Sequence, residues 1–374
     1  MDVFVVAGEA SGDQHAADVV AALKRRRGDL RFFGMGGPKL AAQGVELIHG
    51  AHEISVMGIA EVLPRVPRIW RVLNELVAAV EARRPAVALL VDVPDFNLRV
   101  ARHLKRLGVP VAWYVAPMVW AWREGRTKVI ARRVDELFCI LPFEEAFLRE
   151  RGVPATYVGN PVVDQLPPAG PPEPFRRALG LAEDRPVLAL LPGSRASELR
   201  RLGATLREIG RRAREARPAV QLVVPVAPGL PRAAVEAAFS GVDVTFIDGR
   251  ATEVLGACDV AVVASGTATL EAGLMRRPLV AVYRVSPVSY WVGRALVRIP
   301  YFCLVNLLVG RRVVPELLQG QLTVNAVLAA LEPLWSGPGR DECLAGLDEL
   351  RAKLGQPGAA ARVADGVLRL ASPR

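Results

Sequence analysis

The chain has little sulfur, little histidine and no long apolar run, and each shortage closes off a class of function. Its four cysteines, Cys139, Cys258, Cys303 and Cys343, lie far apart, with no CxxC pair and no cysteine–histidine cluster. That excludes a disulfide framework and a structural zinc site. The four histidines, His15, His49, His52 and His103, lack metal-ligand spacing, so no bound metal is expected. No apolar run approaches the ~20 residues that span a bilayer. The nearest, 109–122, holds two prolines and has charge on both sides. Met1-Asp2 leads straight into an apolar segment, so no secretory leader is expected and the chain reads as cytoplasmic. A G-x-S-x-G nucleophile elbow and a Ser–His–Asp ordering are also missing.

What is present is length, apolar mass and positive charge. At 374 residues the chain exceeds one ordinary core and fits two domains. Hydrophobic residues make up 51%, enough to bury both. The formal charge is +10, with arginine standing in for lysine almost everywhere. No RNA-module signature or aromatic-basic platform accompanies it, so the excess points to an anionic membrane surface or an acidic ligand, not to nucleic acid. Scattered, solvated arginines are the plainer reading of the same charge.

Strand-like runs at 3–7, 31–33, 86–92, 111–115, 137–140 and 155–158 alternate with helical stretches. The clearest helix is 66–84, where Ile69, Leu73, Leu76, Val77 and Val80 form one stripe. A proline- and glycine-rich run, 165–174, reads as a linker. The alternation restarts with strands at 187–191, 221–225, 244–247, 260–264 and 279–283. The expected class is α/β: two Rossmann-like parallel-sheet domains, 1–164 and 175–340, facing across a cleft. The tail, 341–374, reads as helices broken near 355–358, with the last free to return to the first domain.

Each half opens on the same device, an apolar strand, a small-residue turn and a helix, which offers free N–H groups to an anion. In the first half the turn is Gly8-Glu9-Ala10-Ser11-Gly12-Asp13. It lacks G-x-G-x-x-G, and the second strand ends in Gly34-Met35-Gly36-Gly37-Pro38 where a dehydrogenase would carry an acid. Nicotinamide chemistry is therefore not expected. Glu9 and Asp13 suit a hydroxyl- or amine-bearing ligand, although Ser11 or Asp13 could simply cap the helix. In the second half, Pro192-Gly193-Ser194-Arg195 offers amides, a hydroxyl and a guanidinium to a diphosphate. Ser265-Gly266-Thr267 repeats the device, and Glu271, one turn on, either meets ribose hydroxyls or is a plain first-turn acid. Asp92 ends the apolar run 87–91 at a strand's carboxyl end, where partial burial would make it a general base. Asp95 could be the base instead, with Asp92 capping the turn; a structural strand-end aspartate is the third reading. A separate apolar stretch, 54–64, precedes Arg65, Arg68 and Arg71. Val56, Met57, Ile59, Val62 and Leu63 with Arg65 and Arg68 suit shallow insertion into an anionic lipid surface. Tyr290, Trp291, Arg294 and Arg298 form a second, weaker patch of this kind.

These segments, in order and spacing, resemble the bacterial lipid-A-disaccharide synthase family over essentially the whole chain. The matching pieces are Ala7 to Asp13, Met57-Gly58-Ile59 with Glu61-Val62-Leu63, Asp92 with Pro94-Asp95-Phe96-Asn97, and Val119-Trp120-Ala121-Trp122-Arg123. Further along come Leu190 to Arg195, Ala264 to Ala268, Asn306-Leu307-Leu308 and Glu316-Leu317-Leu318-Gln319. The resemblance implies a GT-B type, inverting glycosyltransferase without metal or cofactor. It would join UDP-2,3-diacylglucosamine to 2,3-diacylglucosamine 1-phosphate (lipid X), giving a β-1,6-linked disaccharide 1-phosphate and UDP. It also implies a peripheral place on the cytoplasmic face of the Gram-negative inner membrane, and it allows a homodimer. By position, Asp92 matches the family's proposed base and Arg195 a nucleotide-site arginine. Glu9 and Asn306 match residues required for activity, and Ser11, Gly12, Asp13, Asp95, Asn97 and Gln319 fall in the same motifs. Asn160 departs from the pattern, standing where many members carry histidine. Two other readings fit the fold: a UDP-sugar 2-epimerase, or a non-catalytic, membrane-held UDP-sugar-binding protein.

Overall fold

The computed structural model describes residues 1–54, 66–286, 290 and 299–372. It divides into two compact units, Met1–Asp164 with Gln356–Arg374, and Gln165–Gly355. Among the described residues, no helix is long and apolar enough to cross a membrane.

The first unit is built on β1 (Asp2–Ala7), β2 (Arg31–Gly36), β3 (Glu46–Gly50), β4 (Val87–Val91), β5 (Val111–Tyr114), β6 (Glu136–Cys139) and β7 (Ala155–Tyr157). They form one parallel sheet in the order β3-β2-β1-β4-β5-β6-β7. The pleat sends Phe4, Val6, Ala88 and Leu90 into one core, under helices Val66–Arg83 and Pro94–Arg106. Val3, Val5, Val87, Leu89 and Val91 enter the other, under helices Ala10–Arg26 and Ala359–Ala371. Because both faces are covered, β1 and β4 are apolar without alternation. The Val66–Arg83 stripe buries Val72, Leu73, Leu76 and Val80, with Ile69 and Val77 at its margin.

The second unit holds β8 (Val187–Leu191), β9 (Gln221–Val226), β10 (Thr245–Asp248), β11 (Val260–Ala264), β12 (Leu279–Tyr283) and β13 (Glu316–Leu318). Its parallel order is β10-β9-β8-β11-β12-β13. In both sheets the chain leaves its first strand in one direction and later returns on the other side. A switch point therefore opens at the carboxyl ends of β1 and β4, and of β8 and β11, where doubly wound sheets hold their ligands.

The boundaries differ from the sequence reading in two places. The proline-rich run at 165–174 packs with the second unit: Arg277 Nη2 donates to the Gly170 carbonyl at 2.7 Å, which ties the segment to the body. The tail is split. Helix Pro338–Leu354 stays in the second unit, where Gly273 leaves room for Leu350 and Val305. Helix Ala359–Ala371 joins the first unit, its Ala359 N–H held by Asp164 Oδ2 at 2.9 Å and its Arg362 Nε bound to the Val158 carbonyl at 2.8 Å.

Candidate active site

At the β1/β4 edge the chain turns sharply after β4. Asp92 and Val93 both have positive φ, +54° and +40°, before Pro94 starts helix Pro94–Arg106. A left-handed, β-branched Val93 is costly, and such strain persists only where the surroundings enforce it. Asn97 enforces it: fully buried, its Nδ2 donates to the carbonyls of Val91 (3.2 Å) and Asp92 (2.7 Å). The Asp92 N–H is fixed by the Tyr114 carbonyl at 3.2 Å. The β1 turn closes over this elbow. A methyl group on Gly8 would lie 2.6 Å from Val93 Cγ2, and one on Gly12 would lie 3.6 Å from Asp92 Cβ. Glu9 and Ser11 are exposed on the same turn.

The two candidate bases are now distinguishable. Asp95 is exposed and ion-paired with Arg126, with Arg123 at 3.9 Å. Asp92 is half-buried, and among the described residues no lysine or arginine pairs with it. Burial pushes its carboxyl above the usual range, opposed by a bond from the Val93 N–H. Asp92 has the environment of a proton acceptor, and Asp95 that of a surface ion pair.

Several expected ligand groups belong to the framework instead. Asp13 is 2% exposed, and its Oδ1 accepts from Gly37 N (2.7 Å) and Leu40 N (3.2 Å), its Oδ2 from Lys39 N (2.9 Å). It caps the neighbouring helix Pro38–Ala42, not its own, with both oxygens engaged and the side chain buried. Asn97 acts through Asp92's backbone. Asn160 is buried, with Nδ2 on the Ile140 carbonyl (3.1 Å) and Oδ1 holding Val162 N (3.0 Å), so it serves a turn.

Sequence reasoning missed Glu144. It is 1% exposed, and its carboxylate accepts from Trp120 Nε1 (2.9 Å), Leu141 N (3.1 Å) and Ile140 N (3.3 Å). Burial pushes its carboxyl up to about 7, against these hydrogen bonds. Together with the edge-on contact of Trp120 and Phe143, centroids 5.0 Å apart, it pins the Val119 to Arg123 segment to the sheet edge. A leucine at the N-cap position offers no side-chain acceptor, so the sequence carried no capping-box signal for Glu144.

In the second unit, Gly193 supplies the positive φ (+101°) of the β8 turn. Ser194 and Arg195 are exposed at its tip. The expectation that the Ser194 amide waits for a diphosphate needs correction. Glu198 Oε2 already accepts from Ser194 N (2.9 Å) and Arg195 N (3.2 Å), and Oε1 lies 3.2 Å from Arg195 Nη1. Glu198, at the capping-box spacing from Arg195, was the other residue missed. At the β11 turn Gly266 and Thr267 are exposed at the start of helix Thr267–Leu274, while Thr269 Oγ1 bonds the Gly266 carbonyl at 2.7 Å. Glu271, one turn on, is half-buried, and desolvation raises its carboxyl above the usual range. Ser265 Oγ donates to the Phe302 carbonyl at 3.3 Å.

Asn306, expected at the acceptor or another substrate site, is saturated by the chain. Its Nδ2 donates to the Val314 carbonyl (2.8 Å) and Glu316 Oε1 (2.7 Å), and its Oδ1 accepts from Val313 N (2.7 Å) and Val314 N (2.9 Å). Gln319 follows β13 with φ +50° and Nε2 3.4 Å from the Val285 carbonyl. Of the lipid-surface residues, Val56, Met57, Ile59, Val62, Leu63 and Arg65 lie outside the described residues, as do Trp291, Arg294 and Arg298 of the second patch. Tyr290 is described, its N–H on the Ser286 carbonyl at 2.9 Å. Arg68 is described and reaches Glu53 at 3.3 Å, beside exposed Trp70, over whose ring Arg99 lies. Among the described residues, no group of three or more His, Cys, Asp or Glu side chains could hold a metal ion.

Comparison with known proteins follows this geometry. Residues 3–345 match the family model described as lipid-A-disaccharide synthetase. The chain is 58% identical over 374 residues to the lipid-A-disaccharide synthase of Myxococcus xanthus (strain DK1622), covering 99% of this chain and 98% of that protein. It is 43% identical over 365 residues to that of Solibacter usitatus (strain Ellin6076), covering 97% and 95%. Among solved structures it is similar to the UDP-GlcNAc 2-epimerase from Neisseria meningitidis bound to UDP-GlcNAc, with a TM-score of 0.66, 13% identity and coverage of 99% and 100%. The glycotransferase of kitacinnamycin gives a TM-score of 0.64 at 17% identity, covering 99% and 98%. At such identities the solved structures speak for the fold alone.

Proposed function

The chain belongs to the lipid-A-disaccharide synthase family of glycosyltransferases, which act on a UDP-sugar, and we propose how its own residues carry that reaction. The acceptor, 2,3-diacylglucosamine 1-phosphate, presents its 6-hydroxyl to Asp92. As the oxygen bonds to the anomeric carbon of UDP-2,3-diacylglucosamine, Asp92 takes the proton and the bond from that carbon to the diphosphate breaks. One displacement inverts the centre to a β-1,6 linkage and frees UDP, through an oxocarbenium-like state.

The second unit meets the charge on the leaving group. Arg195's guanidinium and the Gly266–Thr267 helix start face that task without a metal, and Glu271 accepts from ribose hydroxyls. Truncating a preorganised donor of this kind costs about 2.7–4 kcal/mol of transition-state stabilisation. Glu9 and Ser11, exposed on the segment whose Gly12 lies against Asp92, are assigned to the acceptor. The stretch 54–64, continued by Arg68 and Trp70, is assigned to an anionic inner-membrane surface, from which both acylated substrates are drawn.

The observation that carries this reading is Asp92: a half-buried carboxylate with raised proton affinity, on a strained elbow at a switch point. The test mixes purified protein with both acylated glucosamine substrates and a chelator, and follows disaccharide and UDP. Wild type is expected to form both. Asp92→Asn is expected to fold and to lose at least about 10²-fold in kcat. Substantial turnover by that variant moves the base elsewhere, and epimer from the donor alone favours the 2-epimerase reading. Serines at Met57, Ile59 and Leu63 are expected to release the protein from anionic vesicles; unchanged binding removes that assignment.

A further inference from the structure

Beside the β11 turn, the second unit contains a cavity of about 660 Å³ that the diphosphate-binding role leaves unused. Its wall includes Tyr301, Phe302, Leu317, Leu318 and Ala326, with Arg312 exposed at the rim. The size falls within the range of small-molecule sites. The wall is mixed: its apolar side chains suit an acyl chain, and Arg312, Gln321 and Thr323 suit a polar attachment point, while Asn306 and Glu316 are engaged within the wall.

The wall is built, not accidental. Asn306 donates to Glu316 Oε1 at 2.7 Å, and Glu316 Oε2 accepts the Phe302 N–H at 3.0 Å. Both carboxylate oxygens are thereby engaged, Oε1 by Asn306 and Oε2 by Phe302. The same Phe302 accepts at its carbonyl from Ser265 of the candidate phosphate turn, at 3.3 Å. A ligand whose diphosphate rests at Ser265-Gly266-Thr267 thus has the cavity wall one residue contact away. For a nucleotide-linked sugar carrying acyl groups, the sugar bridges that distance and a chain enters.

We propose that this cavity receives an acyl chain of the nucleotide-linked donor and sets the enzyme's chain-length preference. Arg312 donates to the carbonyl or hydroxyl oxygens near the chain's attachment. The proposal rests on the donor assignment above and deepens it, since that assignment says nothing of where the chains go.

The test uses the full-length protein, UDP, UDP-N-acetylglucosamine, and UDP-diacylglucosamines of graded chain length. Each methylene buried in the cavity is expected to raise donor affinity by up to about fourfold. Ala326→Phe, which fills the cavity, is expected to bind UDP and UDP-N-acetylglucosamine within twofold of wild type. It is expected to flatten the chain-length series and to raise donor KM at least 10-fold, with acceptor KM unchanged. Leu318→Ala, which widens the cavity, is expected to shift the optimum towards longer chains, and it keeps the test decisive should the larger side chain unfold the protein. Unaltered length dependence in both variants overturns the proposal. Equal weakening of UDP-N-acetylglucosamine also overturns it, because the cavity would then hold the sugar. If wild type forms no disaccharide yet binds longer-chain donors more tightly, the catalytic reading fails while the cavity assignment stands.

Discussion

Asn306→Ala separates a residue that touches substrate from one that holds the machinery. The side chain is fully buried, and its amide makes four bonds within 2.7–2.9 Å: two given, to the Val314 carbonyl and Glu316, and two accepted, from Val313 N and Val314 N. Truncation strands two buried backbone N–H groups and removes a donor from Glu316. An orphaned buried polar group costs about 1–3 kcal/mol, so the two amides alone cost roughly 2–6 kcal/mol. Against a typical net stability of about 5–15 kcal/mol this is a severe loss. The assay is denaturant unfolding with hydrogen exchange resolved over residues 304–318. The midpoint is expected to fall and exchange to rise there first, and donor KM to rise as Phe302 loses its Glu316 anchor. Stability within about 0.5 kcal/mol of wild type, with turnover abolished, refutes the reasoning and makes Asn306 a substrate contact.

Three other outcomes follow from the same geometry. Burial raises Asp92's proton affinity, so the folded state favours its protonated form; that contribution is full below the unfolded carboxylate's range and is lost as pH rises through the raised value. Asp92→Asn should therefore melt no lower than wild type at neutral pH, while wild-type kcat/KM rises with pH through the raised carboxyl value; a lower melting temperature for the variant contradicts this. Glu144, pushed up to about 7, gives a second contribution of the same sign, progressively lost from its unfolded value to about 7, and Glu144→Gln should flatten the melting profile over that window; an unchanged profile counts against its burial as the cause. Glu198→Ala removes a cap, costing about 0.5–2 kcal/mol, and also removes the carboxylate on the Ser194 and Arg195 amides. Calorimetry should show tighter UDP binding despite lower stability; weaker binding makes Glu198 a support for Arg195, not a competitor of the diphosphate.

The strands a reader of the sequence finds are those whose burial is written in their own residues. Val87–Val91 and Val260–Ala264 are covered on both faces, so their apolar runs announce them. Two of the four edge strands do not. Glu46–Gly50 carries a glutamate and a histidine, is only half-buried, and is a strand because Gly34 and its neighbours pair with it. Glu316–Leu318 is three residues long and exists through Tyr283 and Val282. The site divides in the same way. The half-burial of Asp92 was legible because a carboxylate ending an apolar strand has its environment fixed by that strand. Asp13 and Asn306 misled because their partners are backbone groups of a neighbouring turn, Gly37 in one case and Val313–Val314 in the other. A polar side chain in a glycine-rich or motif segment carries the same letters whether it meets a ligand or the chain.

Both units use a buried or half-buried acid to cap a helix start near the switch point, and those caps decide which groups remain for chemistry. In the first unit Asp13 gives its oxygens to Gly37, Lys39 and Leu40, which quiets the β2 turn and leaves the β1/β4 edge to Asp92. In the second, Glu198 quiets the β8 turn from within its own helix and engages one Arg195 nitrogen, so the remaining guanidinium N–H groups and the exposed Thr267 start are those assigned to an anion. An acid that caps a helix with both oxygens is spent as a base; one held on a strained turn without a cationic partner is not. By that criterion Asp92 is set apart from Asp13, Asp95, Glu144 and Glu198. The energy stored in the left-handed Asp92–Val93 elbow, and the buried Asn97 that maintains it, are the cost of keeping one carboxylate available.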